Sequence, residues 1–233
     1  MAYTKRFDGR KEDELREIRA EVGVVKNADG SALFSFGDTI AIVAVYGPRV
    51  MHPQHMQDAT KGVLRVNYDM LSFSVPERKK PGISRRSQEI SKVTEWALTP
   101  VIDLDKFPNT VIDVFIQVIQ ANASTRCAGI NAAAMALAHA GLPMKDMISA
   151  VSIGKIGDKI VADLIKEEED YDEEGGATDI PIAMLHNTKE ISLLQLDGEV
   201  SFEELKEAIE LAKKVIEKIY IKQKEALKKI RII

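Results

Sequence analysis

The chain has 233 residues, 32 Lys and Arg against 36 Asp and Glu, a formal net charge of −4 and one cysteine. With 45% hydrophobic and 29% charged residues, it is too apolar for a disordered segment. A single cysteine excludes an internal disulfide framework and any cysteine-based zinc site. No apolar run nears the roughly 18 residues of a membrane helix, and the polar, mixed-charge start MAYTKRFDGRKEDEL shows no signal peptide. The expected setting is therefore cytoplasmic, with no membrane partner. Mild acidity means that any nucleic-acid contact must come from a local patch.

Residues 17–46 read as antiparallel strands with turns at Asn27–Gly30 and Gly37–Asp38, the last strand running from Thr39 to Tyr46 and ending at Gly47–Pro48. A loop over 49–62 carries His52, His55 and Lys61; another strand follows over Val63–Ser72, then a basic Pro/Gly loop over 75–83. Ser84 starts a helix to about Leu98, with Val93, Trp96 and Ala97 on its apolar face. The run 110–121 is apolar on both faces, as a central buried strand requires. A helix of small residues (Ala128, Gly129, Ala132–Ala134, Ala136, Ala138) follows, ending near Gly141, and its thin surface allows close packing. A hairpin spans 147–164, an acidic segment 166–174, and strands 180–186 and 190–196. A long helix opens with a Ser201/Glu204 capping box and runs to about Lys229. This mixture of hairpins and helices predicts an α+β fold with mixed sheets and packed helices. A single domain over 1–233 is expected, with two similar halves (about 1–145 and 146–233) possible.

Three features carry chemistry. Between positions 61 and 92, eight cations (Lys61, Arg65, Arg78, Lys79, Lys80, Arg85, Arg86, Lys92) face only Asp69, Glu77 and Glu89. Arg85 and Arg86 sit in the first turn of a helix, where cations oppose the helix dipole, so an anionic ligand is expected to compensate; ordinary solvated arginines are the plainer alternative. Next, Asn122–Arg126 joins the buried strand to the small-residue helix, an arrangement that aims backbone N–H groups and a hydroxyl at an anion, or in which Ser124 or Thr125 simply caps the helix. Last, seven acids lie between 167 and 174, and Asp179 precedes the strand Ile180–Met184. Most of these acids are a solvated loop, but Asp179 abuts an apolar strand and is held in place, where it can bind Mg²⁺ or give a proton to a leaving oxygen.

Read together, these blocks resemble the RNase PH family, most closely the catalytic RNase PH-like subunits of the archaeal exosome. The resemblance rests on FDGR at 7–10, GSALFSFGDT at 30–39, YGPR at 46–49 with MHPQHM after it, VLRVNYDM at 63–70, SRRSQEISKV at 84–93, QANASTRCAGINAA at 120–133, GLPMKDMI at 141–148, TDIPIAM at 178–184 and LLQLDG at 193–198. It implies the RNase PH-like (ribosomal protein S5 domain 2-like) fold and a phosphate-dependent 3′-to-5′ exoribonuclease that releases nucleoside diphosphates and can run backwards to tail RNA. Arg85, Arg86, Arg65 and Lys61 are then expected at the RNA, and Ser124, Thr125 and Arg126 at phosphate, with Ser124 where the family usually has glycine. Asp179 is expected to be catalytic with Asp170 or Asp172 as its partner, and Asp179 and Asp170 to hold Mg²⁺ or Mn²⁺. Inorganic phosphate is the implied co-substrate. The implied partners are single-stranded RNA, a non-catalytic RNase PH-like paralogue in a hexameric ring, and RNA-binding cap subunits. A homohexameric RNase PH that trims tRNA 3′ ends and an inactive scaffold paralogue are the competing readings.

Overall fold

The computed structural model describes residues 3, 5–172 and 176–229. Two sheets enclose a layer of helix. The first sheet has the order β1 (Ile18–Val22), β2 (Gly30–Phe36), β3 (Thr39–Val50), β5 (Thr110–Gln120), β4 (Val63–Met70); neighbours are antiparallel except β4 and β5. That one parallel pair needs a crossover, which α1 (Arg85–Leu98) supplies on its way to two 3₁₀ turns. The second sheet is wholly antiparallel: β7 (Lys159–Ala162), β6 (Ile148–Ile156), β8 (Ala177–Leu185), β9 (Ile191–Leu194). A single helical turn, α3 (Lys166–Glu169), precedes β8, and α4 (Phe202–Lys229) packs on β6, β7, β8 and β1.

The small-residue helix is α2 (Thr125–His139). It packs against β2 and β3 of one sheet and β6 and β8 of the other, and every residue from Cys127 to Leu137 is buried. A helix buried all round has no amphipathic stripe, and alanine side chains let both sheets approach. The approach is closest at Gly30, where a Cβ would lie 2.3 Å from the Ala136 carbonyl oxygen and 2.6 Å from Ala140. Neither the β2 ladder nor the helix end can yield cheaply. Gly30→Ala is therefore expected to destabilise by about 2–3 kcal/mol, read as a Tm fall of roughly 5–10 °C in a thermal scan. Midway along α2, the Asn131 side-chain amide donates to the Ala150 carbonyl (2.8 Å) and accepts from the Ala150 N–H (2.8 Å), which keys the helix to β6.

Two expectations fail. Strand β3 does not stop at Gly47–Pro48: pairing with β5 resumes at Arg49 and Val50 after an irregularity. Gly47 turns its N–H to the Asp29 carboxylate (2.8 Å) rather than to the ladder, so proline's missing donor costs no ladder bond there. Trp96 is not on the buried face of α1. That face is Ser87, Ile90, Thr94, Ala97 and Leu98, whereas Trp96 is 61% exposed under the Lys92 ammonium. The predicted Ser201/Glu204 capping box holds on α4, and Ser84, expected to start α1, forms one of its own with Ser87. Within the acidic segment, Glu173, Glu174 and Gly175 lie outside the described residues.

Candidate active site

The turn before α2 is the most constrained backbone of the site. Ala123 and Ser124 both take left-handed conformations (φ 55° each), a region that costs a residue with a Cβ about 1–2 kcal/mol. Surrounding bonds impose it. The Thr39 hydroxyl lies 2.8 Å from the Asn122 and Ala123 carbonyl oxygens, and the Arg16 guanidinium donates to the Asn122 carbonyl at 2.6 Å. The Asn122 side-chain oxygen accepts from the Lys166 N–H at 2.8 Å, tying the turn to α3. The result presents the start of α2, where the first-turn N–H groups have no intrahelical acceptor. Ser124 adopts the glycine-like conformation, but its hydroxyl neither caps the helix nor faces outward; it sits 3.3 Å from Asp163 Oδ1 and 3.2 Å from the Leu164 carbonyl. Its contribution to an anion site is backbone geometry, not the hydroxyl.

In front of this turn lies a cleft of about 310 Å³. Its cations are Arg86 from α1, Arg126 from α2 and Lys166 from α3; Glu169, Asp170 and Asp179 face them from the α3 segment and β8, with Glu77 from the loop before α1, and Met70, Val75 and Pro76 form an apolar wall. Among the described residues Arg86 forms no ion pair, so its charge is available to a ligand. Arg126 is mostly buried: Nη1 donates to Gln195 Oε1 (2.5 Å), Nη2 lies 3.8 Å from Glu89, and the buried Nε has no protein partner. Such an orphaned donor fits an anion that brings its own acceptors.

Asp179 is not ahead of its strand, as expected, but inside β8, held between Gly154 of β6 and a two-bond bridge with Asp197. Ser152 donates to its Oδ1. Burial pushes its carboxyl above the usual range; the Ser152 bond opposes this, Glu169 adds to it and Arg126 opposes it. A folded pKa above the unfolded one means that the group's stabilising contribution is complete at low pH and is lost as pH rises through the folded pKa. Asp179→Asn is therefore expected to raise Tm at pH 8 by on the order of 3 °C and to leave it unchanged near pH 3.5, measured by thermal scans at both.

Not every predicted residue arrives. Ser124, Thr125, Arg126, Arg86, Asp179 and Asp170 line the cleft; Arg85, Arg65, Lys61 and Asp172 do not. Arg65 forms a bidentate pair with Asp113 (2.5 and 3.0 Å), because β4 and β5 set the two opposite each other. Asp170 accepts from Lys166 Nζ at 2.6 Å. Sequence reasoning overlooked Lys166 and Glu169, flanked by solvated acids, and Gln195, an ordinary polar residue whose role depends on a contact 69 positions away. It also overlooked the clasp beneath the site. Arg6 and Glu168 pair at 2.8–2.9 Å with side chains 2% and 0% exposed, and buried Asp163 accepts from Arg10 and Arg16.

Residues 14–143 match the model of domain 1 of the RNase PH, or 3′ exoribonuclease, family, and residues 146–215 match its domain 2. The chain belongs to the 3′ exoribonuclease family. Within the family, it is 54% identical to the exosome complex component Rrp41 of Thermococcus kodakarensis over 224 residues, covering 96% of this chain and 88% of that protein. Rrp41 of Nitrosopumilus maritimus is 48% identical over 96% of this chain and 90% of its own length. Among solved structures, rice Rrp46 superposes with a TM-score of 0.85 at 25% identity, covering 96% of this chain and all of that one. A chain of the Archaeoglobus fulgidus exosome with RNA bound at the active site gives 0.79 at 22% identity, over 94% of this chain and 92% of that one, which supports the fold.

Proposed function

We propose that this chain is the catalytic ring subunit of an archaeal-type exosome, a phosphorolytic 3′-to-5′ exoribonuclease. The observation that carries the reading is the single cleft in which Arg86 and Arg126, from separate helices, stand with the start of α2 against the buried carboxyl of Asp179. An orthophosphate oxygen attacks the 3′-terminal phosphodiester phosphorus, the P–O3′ bond breaks, and O3′ leaves with a proton. The products are a nucleoside diphosphate and RNA one nucleotide shorter. Two anions must meet, and their repulsion falls only if fixed cations surround both; Arg86 takes an RNA phosphate and Arg126, with the first N–H groups of α2, takes orthophosphate. Asp179, its carboxyl raised by burial, gives the proton to O3′. Exchange of a phosphodiester for a phosphoanhydride is nearly balanced, so nucleoside diphosphates also extend RNA. Backbone rather than base contacts make the enzyme indifferent to sequence and sensitive to salt.

No group of three His, Cys, Asp or Glu side chains gathers as a cation site among the described residues. Of the cleft's carboxylates, Asp179 and Asp170 fit Mg²⁺, which commonly takes one or two together with substrate phosphates. Asp179 and Asp170 would hold it in their ionised forms, and the cation would then neutralise charge at the phosphate and leaving oxygens in place of a proton from Asp179. The partners in this reading are single-stranded RNA, a non-catalytic paralogue alternating in a hexameric ring, and RNA-binding caps, in the cytoplasm. The test is RNA decay by the chain with its ring partner. Diphosphate products that require phosphate support the reading, and monophosphates formed without phosphate overturn it. In the same assay, Asp179→Asn is expected to cut turnover about 10²–10⁴-fold, the range of general acid–base catalysis, with RNA affinity retained.

A further inference from the structure

The side chain of Arg126 shows which of its edges is meant for the ligand. In a guanidinium, Nε–H and one Nη2–H lie on the same side and form a fork that matches two oxygens of a phosphate, while Nη1 lies beside the side-chain stem. Here Gln195 Oε1 takes Nη1 (2.5 Å). The other edge is unmet: Nε is buried without a partner, and Nη2 has only Glu89 at 3.8 Å, beyond hydrogen-bond reach. Gln195 is itself aimed. Its side-chain NH₂ donates to Glu89 Oε1 (2.9 Å), and its backbone N–H donates to the Pro181 carbonyl (3.1 Å), two residues past Asp179. A side chain just after β9 thus joins α1, which carries Arg86, to α2, which carries Arg126, and is anchored on the strand of Asp179.

We infer that Gln195 is a positioning residue for phosphate: with Glu89 behind it, it holds the Nη1 corner of Arg126 so that the Nε–Nη2 edge receives orthophosphate. Glutamine suits this place because it accepts from the guanidinium and donates to the carboxylate at once. A carboxylate here would compete with the incoming anion for Arg126 and repel Glu89. This role rests on the phosphorolytic reading above.

The experiment measures phosphorolysis by the chain with its ring partner, varying phosphate at saturating RNA and RNA at saturating phosphate. Gln195→Ala is expected to raise the KM for phosphate about tenfold, because the fork is no longer pre-oriented, while KM for RNA and Tm hardly move. Gln195→Glu keeps an acceptor for Nη1 but sets a carboxylate against both the incoming anion and Glu89, and should raise the KM for phosphate at least as much as Gln195→Ala does, with KM for RNA again little changed. A phosphorolytic wild type whose Gln195→Ala variant has unaltered phosphate KM overturns the positioning role alone, as does a Gln195→Glu variant that binds phosphate like the wild type. A wild type that makes no diphosphates overturns the phosphorolytic reading together with it.

Discussion

Arg126→Lys is expected to lower kcat/KM for phosphate by about 10²–10³-fold, the loss typical of removing one preorganised donor from a charged transition state. The substitution keeps the charge and removes the planar fork. An ammonium on a flexible stem cannot bond Gln195 and at the same time present two parallel donors to an anion. RNA affinity should change far less, because Arg86, the residue proposed to take the RNA backbone phosphate, stands apart on α1. Steady-state kinetics in phosphate, paired with RNA titration, separates the two effects. Equal losses in both would mean that Arg126 holds RNA rather than orthophosphate.

Glu168→Ala is expected to be the most destabilising single change outside the sheets, by about 3–5 kcal/mol, because it leaves the Arg6 guanidinium buried and unpaired. For a chain of this size, that is a Tm fall of roughly 10 °C. Glu168 accepts from Tyr3 at 2.7 Å and from Arg6 through both carboxylate oxygens, while Arg6 also donates to the carbonyls of Ala162 and Asp163. These bonds fasten the N-terminal segment to β7 and α3. Since α3 supplies Lys166 and Glu169 to the cleft and leads into Asp170, turnover should fall even well below the melting transition. Replacing both partners, Arg6→Met with Glu168→Leu, should cost less than either single loss, since no uncompensated charge remains in the interior. Thermal scans of the three variants check the ordering.

Local signals explain what could be read in advance. Alternation of apolar residues marks β2, β3 and β5, serine followed by glutamate three positions on marks the start of α4, and a run of alanines marks a helix pressed between two surfaces. Each depends on residues within a few positions of one another. The Gly47–Pro48 pair misled because a bulge in the ladder admits a residue without an N–H, a property of the β5 partner rather than of the dipeptide. Trp96 misled because a large apolar side chain is not obliged to be inside. In the site, Arg126, Arg86 and Asp179 were legible through family blocks, but the convergence that gives them meaning joins positions 86, 126 and 179 through two sheets. The Arg6–Glu168 pair, 162 positions apart, and the hold of Gln195 on Arg126 have no local signature at all. Arg85, adjacent to Arg86, shows the reverse case: one residue along a helix turns a side chain by about 100°, so only one of two consecutive arginines need line the cleft.

In the proposed reaction orthophosphate, not water, breaks the RNA chain. Isotopically labelled orthophosphate supplied to the assembled enzyme with unlabelled RNA tests it directly. Label is expected in the terminal phosphate of the released nucleoside diphosphates, one labelled phosphate per nucleotide removed. RNA that shortens into unlabelled nucleoside monophosphates while all label stays in free orthophosphate would contradict it.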